Sequence, residues 1–435
     1  MTTIVRAKVA HTPRNPFAGD GALEAFEDGA VAFSDGRILA CGEYDRVRDG
    51  YPAAEVLDAR DAILLPGFVD AHVHYPQIRV IGAMGLELLD WLRLRSLPEE
   101  ARLADVAYAT EVADRFVRAL ARNGTTTALV FGSHFPAALD ALFVAASSAG
   151  LRLCSGLVIS DRGLRPELEV PVETAVEANR DLIDRWHGRG LIRYAVTPRF
   201  AVSCSEEMLS AAGELSRESD GVLVTTHLNE NRAEIELVSE LFPWAGDYLE
   251  TYERYGLLDE TSVFAHNVHV SDHELDRMAT AGATVAHCPS SNAFLGSGVF
   301  PLRRHLERGV RIALGTDVGA GTGPSMLKEG LMAYLGQMIS TDGIRLGPAH
   351  LLWLATRAGA TALGLNDEVG DLAPGKSADF VLVRPPEDST LGAVLERSES
   401  LEAALGALFT LAREESIAEV RVAGKVVWPT SASIS

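Results

Sequence analysis

Two histidines separated by one residue, His72-Val73-His74, are the first part of this sequence that could do chemistry. In an extended strand a spacing of two puts both side chains on one face, so two imidazoles can share one cation. His227, His266 and Asp317 repeat the theme far down the chain, the last in the run Ala313-Leu-Gly-Thr-Asp317. Nitrogen ligands with one carboxylate suit zinc, or iron, and leave a coordination position for water. Glu230 follows His227 in His227-Leu-Asn-Glu230 and is expected at the last position of the same strand, where a carboxylate can handle the proton of an attacking water. Its bland alternative is a helix N-terminal acid favoured by the dipole. One histidine in a strand is more often a hydrogen-bonded core residue; several at strand ends carry weight together. His134, His269 and His287 also fall near expected strand ends and are read as supporting groups, whereas His11, His187, His273, His305 and His350 are read as surface or packing residues.

Such groups need a frame that brings distant positions together. Eight continuous apolar runs, over 67–74, 125–132, 152–160, 192–200, 221–230, 262–269, 283–292 and 311–318, alternate with amphipathic stretches such as 103–122 and 206–219. Apolar runs of this kind are strands buried on both faces, and eight strand-helix repeats predict a closed parallel (β/α)8 barrel with its chemistry at the carboxyl ends of the strands. An open doubly wound sheet is disfavoured because no phosphate-binding turn follows the first strand, and Gly319-Ala-Gly-Thr-Gly323 has the wrong spacing and place for one. Short alternating runs before residue 65, and again at Ala378-Asp-Phe-Val-Leu-Val and Glu419-Val-Arg-Val-Ala-Gly-Lys-Val-Val-Trp, predict strands, the last pair joined by a Gly-Lys turn. The expected organisation is a small β-domain built from 1–65 and 376–435 around a barrel over 66–375.

Composition narrows the partner. A net charge of -21 with no dense Lys/Arg cluster excludes a nucleic-acid or anionic-membrane surface, so a small uncharged or weakly charged molecule is the expected ligand. The amino terminus lacks a basic region leading into a long apolar run, and no stretch approaches the length of a membrane span, which predicts a cytoplasmic protein. Cys41, Cys154, Cys204 and Cys288 are far apart, with no Cys-x-x-Cys pair, which argues against both a disulfide framework and a thiolate metal site.

Pro66-Gly-Phe-Val-Asp-Ala-His-Val-His74 and Gly315-Thr-Asp317 resemble the first and last barrel motifs of the amidohydrolase superfamily. His74-Tyr-Pro-Gln77, Leu88-Leu-Asp-Trp-Leu92, Asn123-Gly-Thr-Thr-Thr127, Thr197-Pro-Arg-Phe200, His227-Leu-Asn-Glu-Asn-Arg232, Ala286-His-Cys-Pro-Ser-Ser-Asn292 and Gly315-Thr-Asp-Val-Gly-Ala-Gly-Thr322 resemble, more specifically, the guanine deaminases within it. The resemblance implies a TIM-like barrel with a small β-sandwich from both termini, and hydrolytic deamination of guanine to xanthine and ammonia in purine catabolism. It implies one zinc per subunit, with iron as the alternative, held by His72, His74, His227 and Asp317. Glu230 takes the place of the proton shuttle, His266 that of the imidazole stabilising the water or intermediate, and Gln77 and Arg199 face the purine's ring edge and 6-oxo group. Phe200 and Trp91 are candidates for the ring's faces, with core packing as the other reading. A homodimer is the assembly implied. The chain departs from the pattern at Gly85-Leu-Glu87, at Leu97 before Pro-x-Glu and at Leu411-Ala-Arg-Glu-Glu-Ser416. The alternatives are a related heterocycle as substrate (8-oxoguanine, a pterin or a triazine) and a catalytically dead scaffold, against which the joint presence of all four ligand positions and Glu230 speaks.

Overall fold

The computed structural model describes residues 1–429. Eight strands, Phe68–His74, Thr125–Phe131, Arg152–Gly156, Ile192–Pro198, Leu223–Leu228, Ser262–His266, Thr284–His287 and Arg311–Leu314, pair in parallel each with the next. The first seven are buried along nearly their whole length, as continuous apolar runs require. The eighth run returns to the first strand: Asp317 donates its backbone N–H to the His72 carbonyl at 2.8 Å and His74 donates to Val318 at 2.9 Å. Gly315 permits this closure, because a Cβ there would lie 2.8 Å from the Cβ of His72. The outcome is a parallel (β/α)8 barrel.

Helices cover the strands, and local sequence sets where they begin. Val106–Arg122 is capped by the Asp105 carboxylate, which accepts from Ala107 and Tyr108, and Asp272–Ala281 has a capping box between Ser271 and Glu274. Strand ends are shorter than the apolar runs suggest. The fifth strand stops at Leu228, so Glu230 lies beyond the strand rather than at its last position. The seventh gives way to the helix Pro289–Phe294, with Pro289 inside its first turn.

The chain ends form one seven-stranded sheet in which Thr3–His11 and Glu55–Pro66 are parallel neighbours and Phe380–Val383, Ile417–Val422 and Lys425–Trp428 extend it antiparallel. Phe33 and Phe380, on strands three places apart, have ring centroids 5.8 Å apart. In a flat sheet they would be about 14 Å apart, so the sheet folds over its own apolar core of Val5, Val31, Ile38, Leu64 and their neighbours. The final turn is Ala423-Gly424 rather than Gly-Lys, with φ of 47° and 73°; positive φ at both central residues is what a two-residue hairpin demands. The helix Leu401–Leu411 packs on the barrel's Met326–Ile339, where Gly330 makes room for Phe409.

Candidate active site

Asp70, His72 and His74 occupy alternate positions of the first strand and all are buried. Asp70 accepts the backbone N–H groups of His72 at 3.2 Å and Thr316 at 3.0 Å, and the Thr316 hydroxyl. One carboxylate thereby ties the strand carrying two histidines to the run carrying Asp317.

At the barrel's centre His72 Nε2 and His74 Nε2 are 3.1 Å apart, and His227 Nε2 is 3.3 Å from His74 Nε2. Asp317 Oδ1 lies 3.3 Å from His72 Nε2 and 3.2 Å from His74 Nε2. One ligand atom from each of the four falls within 4.8 Å of the others. A tetrahedral shell with bonds of about 2.0–2.1 Å places neighbouring ligand atoms about 3.3 Å apart, so the spacing fits a cation of that size. His227 Nδ1 donates to the Arg199 carbonyl at 2.6 Å, which leaves Nε2 with its lone pair facing the cluster. Burial pushes His74 down to about 4 and His227 well below its ordinary range. Both imidazoles are therefore neutral near pH 7, as a metal ligand must be. Converging lone pairs and a carboxylate suit a positive ion and little else.

His266 faces this cluster from the sixth strand. Its Nδ1–H donates to Asn292 Oδ1 at 3.0 Å, while Nε2 lies 3.5 Å from Glu230 Oε2 and 3.8 Å from Asp317 Oδ2. Glu230 is 3 % exposed, and its other oxygen is 3.4 Å from the Ser297 hydroxyl. Burial, then Glu234 and Asp317, push its carboxyl well above the ordinary carboxylate range. The helix after Glu230 starts only at Arg232, capped by Asn231, so Glu230 is no first-turn acid. Asn229, His266, Asn267 and Asp317 have φ of 51°, 72°, 50° and 46°. Left-handed backbone at non-glycine residues costs about 1–3 kcal/mol each, and here it turns the chain at strand ends so that side chains meet over the barrel mouth.

Above the cluster opens a cavity continuous with solvent. His74, His227, Glu230, His266 and Asp317 form its floor and Gln77, Arg199, Phe200 and Trp91 its walls, while His72 lies beneath at 0 % exposure. The ten residues singled out from the sequence are thus gathered at one place. Gln77 accepts the Gly319 N–H at 3.1 Å and donates to Glu100 at 2.9 Å. Arg199 forms a bidentate pair with Glu100 at 2.6 and 3.0 Å. Trp91 packs with Leu88, Leu295 and Ala320. Of the supporting histidines, His134 lies 3.5 Å from Glu100 and His269 donates from Nε2 to the Ser297 carbonyl at 2.8 Å, but His287 stacks on Phe300 away from the cavity. His305 and His11 are buried packing residues, and His305 also bonds Asn267.

The Amidohydrolase family model matches residues 63–427. The chain belongs to the amidohydrolase family. Along this amidohydrolase the match takes in the whole barrel, the end of the strand Glu55–Pro66 before it and the sheet strands after it as far as residue 427. A relative from Deinococcus radiodurans named "Probable guanine deaminase" is 54% identical over 99% of each chain. The solved guanine deaminase of E. coli superposes with a TM-score of 0.94 at 39% identity, covering 98% of this chain and 99% of that one. A guanine deaminase from C. acetobutylicum with bound guanine in the active site superposes with a TM-score of 0.90 at 27% identity, covering 98% of this amidohydrolase and 100% of the other.

The site also contains residues that the sequence reading of this amidohydrolase passed over: Asp70, Glu100, Phe131, Asn292 and Ser297. Asp70 had a signal, since it precedes His72 by the same two residues that separate His72 from His74. Phe131, whose ring sits 4.6 Å from those of His74 and His227 and 5.1 Å from that of His72, had none beyond lying late in an apolar run.

Proposed function

We propose that this chain hydrolyses guanine to xanthine and ammonia, with a zinc ion held by His72, His74, His227 and Asp317, one to a subunit. The observation that carries the reading is that one cavity is lined both by the nitrogen and carboxylate cluster and by Arg199 and Gln77. Full-length similarity to guanine deaminases supports it. A bound zinc supplies hydroxide near neutral pH by acidifying water from a pKa of about 15.7 toward roughly 7.

The protein's own residues do the rest. Arg199 has N–H groups left after pairing with Glu100 and directs them at the 6-oxo oxygen, and Gln77 keeps one N–H and one lone pair for the ring edge. That arrangement places C2 over the floor. As the C2–O bond forms, the C2=N3 π pair moves onto N3, to re-form the double bond when the amine leaves, while Glu230 takes the water's proton at a carboxylate oxygen and returns it to the 2-amino nitrogen. The C2–N bond then breaks with ammonia rather than amide as the leaving group. His266, with its proton on Nδ1 fixed by Asn292, offers the Nε2 lone pair to the attacking water. Phe200 and Trp91 hold the ring's apolar faces. A cytoplasmic homodimer serving purine catabolism completes the reading.

The test is formation of ammonia and xanthine from guanine by the metal-replete protein, alongside 8-oxoguanine, a pterin and a triazine. Equal amounts of both products from guanine are expected. Absence of xanthine, or faster turnover of another member of the panel, overturns guanine as the substrate.

A further inference from the structure

Glu100 is 3 % exposed and lies on the short helix Leu97–Ala101, inserted between the first barrel strand and its covering helix. It accepts from Arg199 at 2.6 Å through Oε2 and at 3.0 Å through Oε1. Oε1 also accepts from Gln77 Nε2 at 2.9 Å and from the Ser96 hydroxyl at 2.7 Å, and His134 Nδ1 is 3.5 Å from Oε2. An ionised carboxylate has about four lone-pair directions. Four protein donors already fill that number, three of them on Oε1, so Glu100 is committed to the protein's own groups. Burial pushes its carboxyl up, but Arg199, His134 and Ser96 outweigh that and hold it down at about 2, so it stays ionised at any working pH.

Two consequences reach the cavity wall. Gly319 N–H can only donate and Glu100 can only accept, so the Gln77 amide has a single permitted orientation, with one N–H and one lone pair remaining for a ligand. The Arg199 guanidinium is 3 % exposed and would on its own be a strong anion site; paired bidentate, it presents hydrogen-bond donors with little net charge. We infer that Glu100 is a positioning residue that sets this wall for a neutral oxo-heterocycle edge and against anionic purines, by fixing Gln77 and Arg199 and cancelling the guanidinium charge. The inference rests on the proposed function for the placement of the purine. It names what the wall selects: a neutral lactam.

Calorimetric binding to the metal-loaded protein tests it, with hypoxanthine as a neutral 6-oxopurine lacking the amino group and urate as an anion near neutral pH. Glu100→Gln keeps the size of the side chain, removes the charge and puts an N–H where acceptors are needed. Its hypoxanthine affinity is expected to fall about 10-fold or more, and the ratio of urate to hypoxanthine affinity to rise about 10-fold. Glu100→Asp keeps the charge but shortens the reach; both affinities are expected to fall about fivefold or more, with their ratio within about twofold of the parent. A simply loosened fold weakens both ligands alike in Glu100→Gln, and a ratio there within about twofold of the parent overturns the inference. If Glu100→Gln does not fold, unchanged affinities in Glu100→Asp overturn it. Failure of the parent to release ammonia from guanine sinks the proposed function alone, because the binding ratios do not depend on turnover.

Discussion

A carboxyl group 3 % exposed and 3.5 Å from an imidazole, with a second carboxylate, Glu234, behind it, holds protons more tightly than one in water. Glu230 has that setting, and a proton relay needs a group that gains and loses its proton readily in a dry site. Glu230→Gln keeps the volume and the contact with Ser297 but cannot carry a proton. Its turnover is expected to fall about 10²- to 10⁴-fold while metal content stays at that of the parent, since Glu230 is not among the clustered ligand atoms. Ammonia release and elemental analysis on one preparation read both quantities. Activity near that of the parent removes Glu230 from the mechanism.

Between elements, the decisive join is that of the first strand to the eighth. It consists of the two backbone hydrogen bonds at His72 and His74, the close approach at Gly315, and the Asp70 carboxylate bridging to Thr316. Asp70→Ala leaves buried donors on both strands unpaired, each costing about 1–3 kcal/mol, and frees His72 and Asp317 to move relative to one another. Metal affinity is expected to drop about 10- to 100-fold, the usual effect of losing a group that orients ligands. Competition with a chromogenic chelator measures it, and parental affinity would mean that the closure is held without Asp70.

For the molecule as a whole, two linkages to stability follow from buried charge. The four-ligand cluster exists only when the barrel is closed, so a metal held there would bind the folded state and stabilise it by about 4 kcal/mol when free metal is 1,000 times its dissociation constant. Chelation should lower the melting temperature, and re-addition should restore it; a melting temperature indifferent to metal contradicts a folded-state site. The second linkage is Glu329, at 0 % exposure, where burial raises the carboxyl to about 8 despite the Ser290 hydrogen bond, and one oxygen has no partner among the described residues. The folded pKa is raised, so the contribution of this group is fully present below the unfolded value of about 4.5 and is lost progressively as pH rises to about 8. Glu329→Gln cannot ionise. Relative to the parent it should gain stability across that window, by up to a few kcal/mol, and thermal melts at both ends check it. A stability difference that does not vary with pH rules Glu329 out as the cause.

The architecture was written in the sequence because burial on both faces leaves a continuous apolar run, and eight such runs alternating with amphipathic ones have few ways to fold. The metal and shuttle candidates were legible for a related reason: His72, His74, His227, Glu230, His266 and Asp317 are polar residues at the ends of those runs, where a strand has no packing use for them. The ends themselves were not. Whether the fifth strand stops at Leu228 or at Glu230 depends on the left-handed turn at Asn229, which a non-glycine residue adopts only when surrounding contacts compensate the strain. Glu100 shows most plainly what tertiary structure alone decided. On its helix it is one acid beside another, Glu99, and nothing local separates the two. Only folding brings Arg199 and Gln77, from other parts of the chain, onto its carboxylate, because a hydrogen bond depends on separation in space and the sequence records separation along the chain.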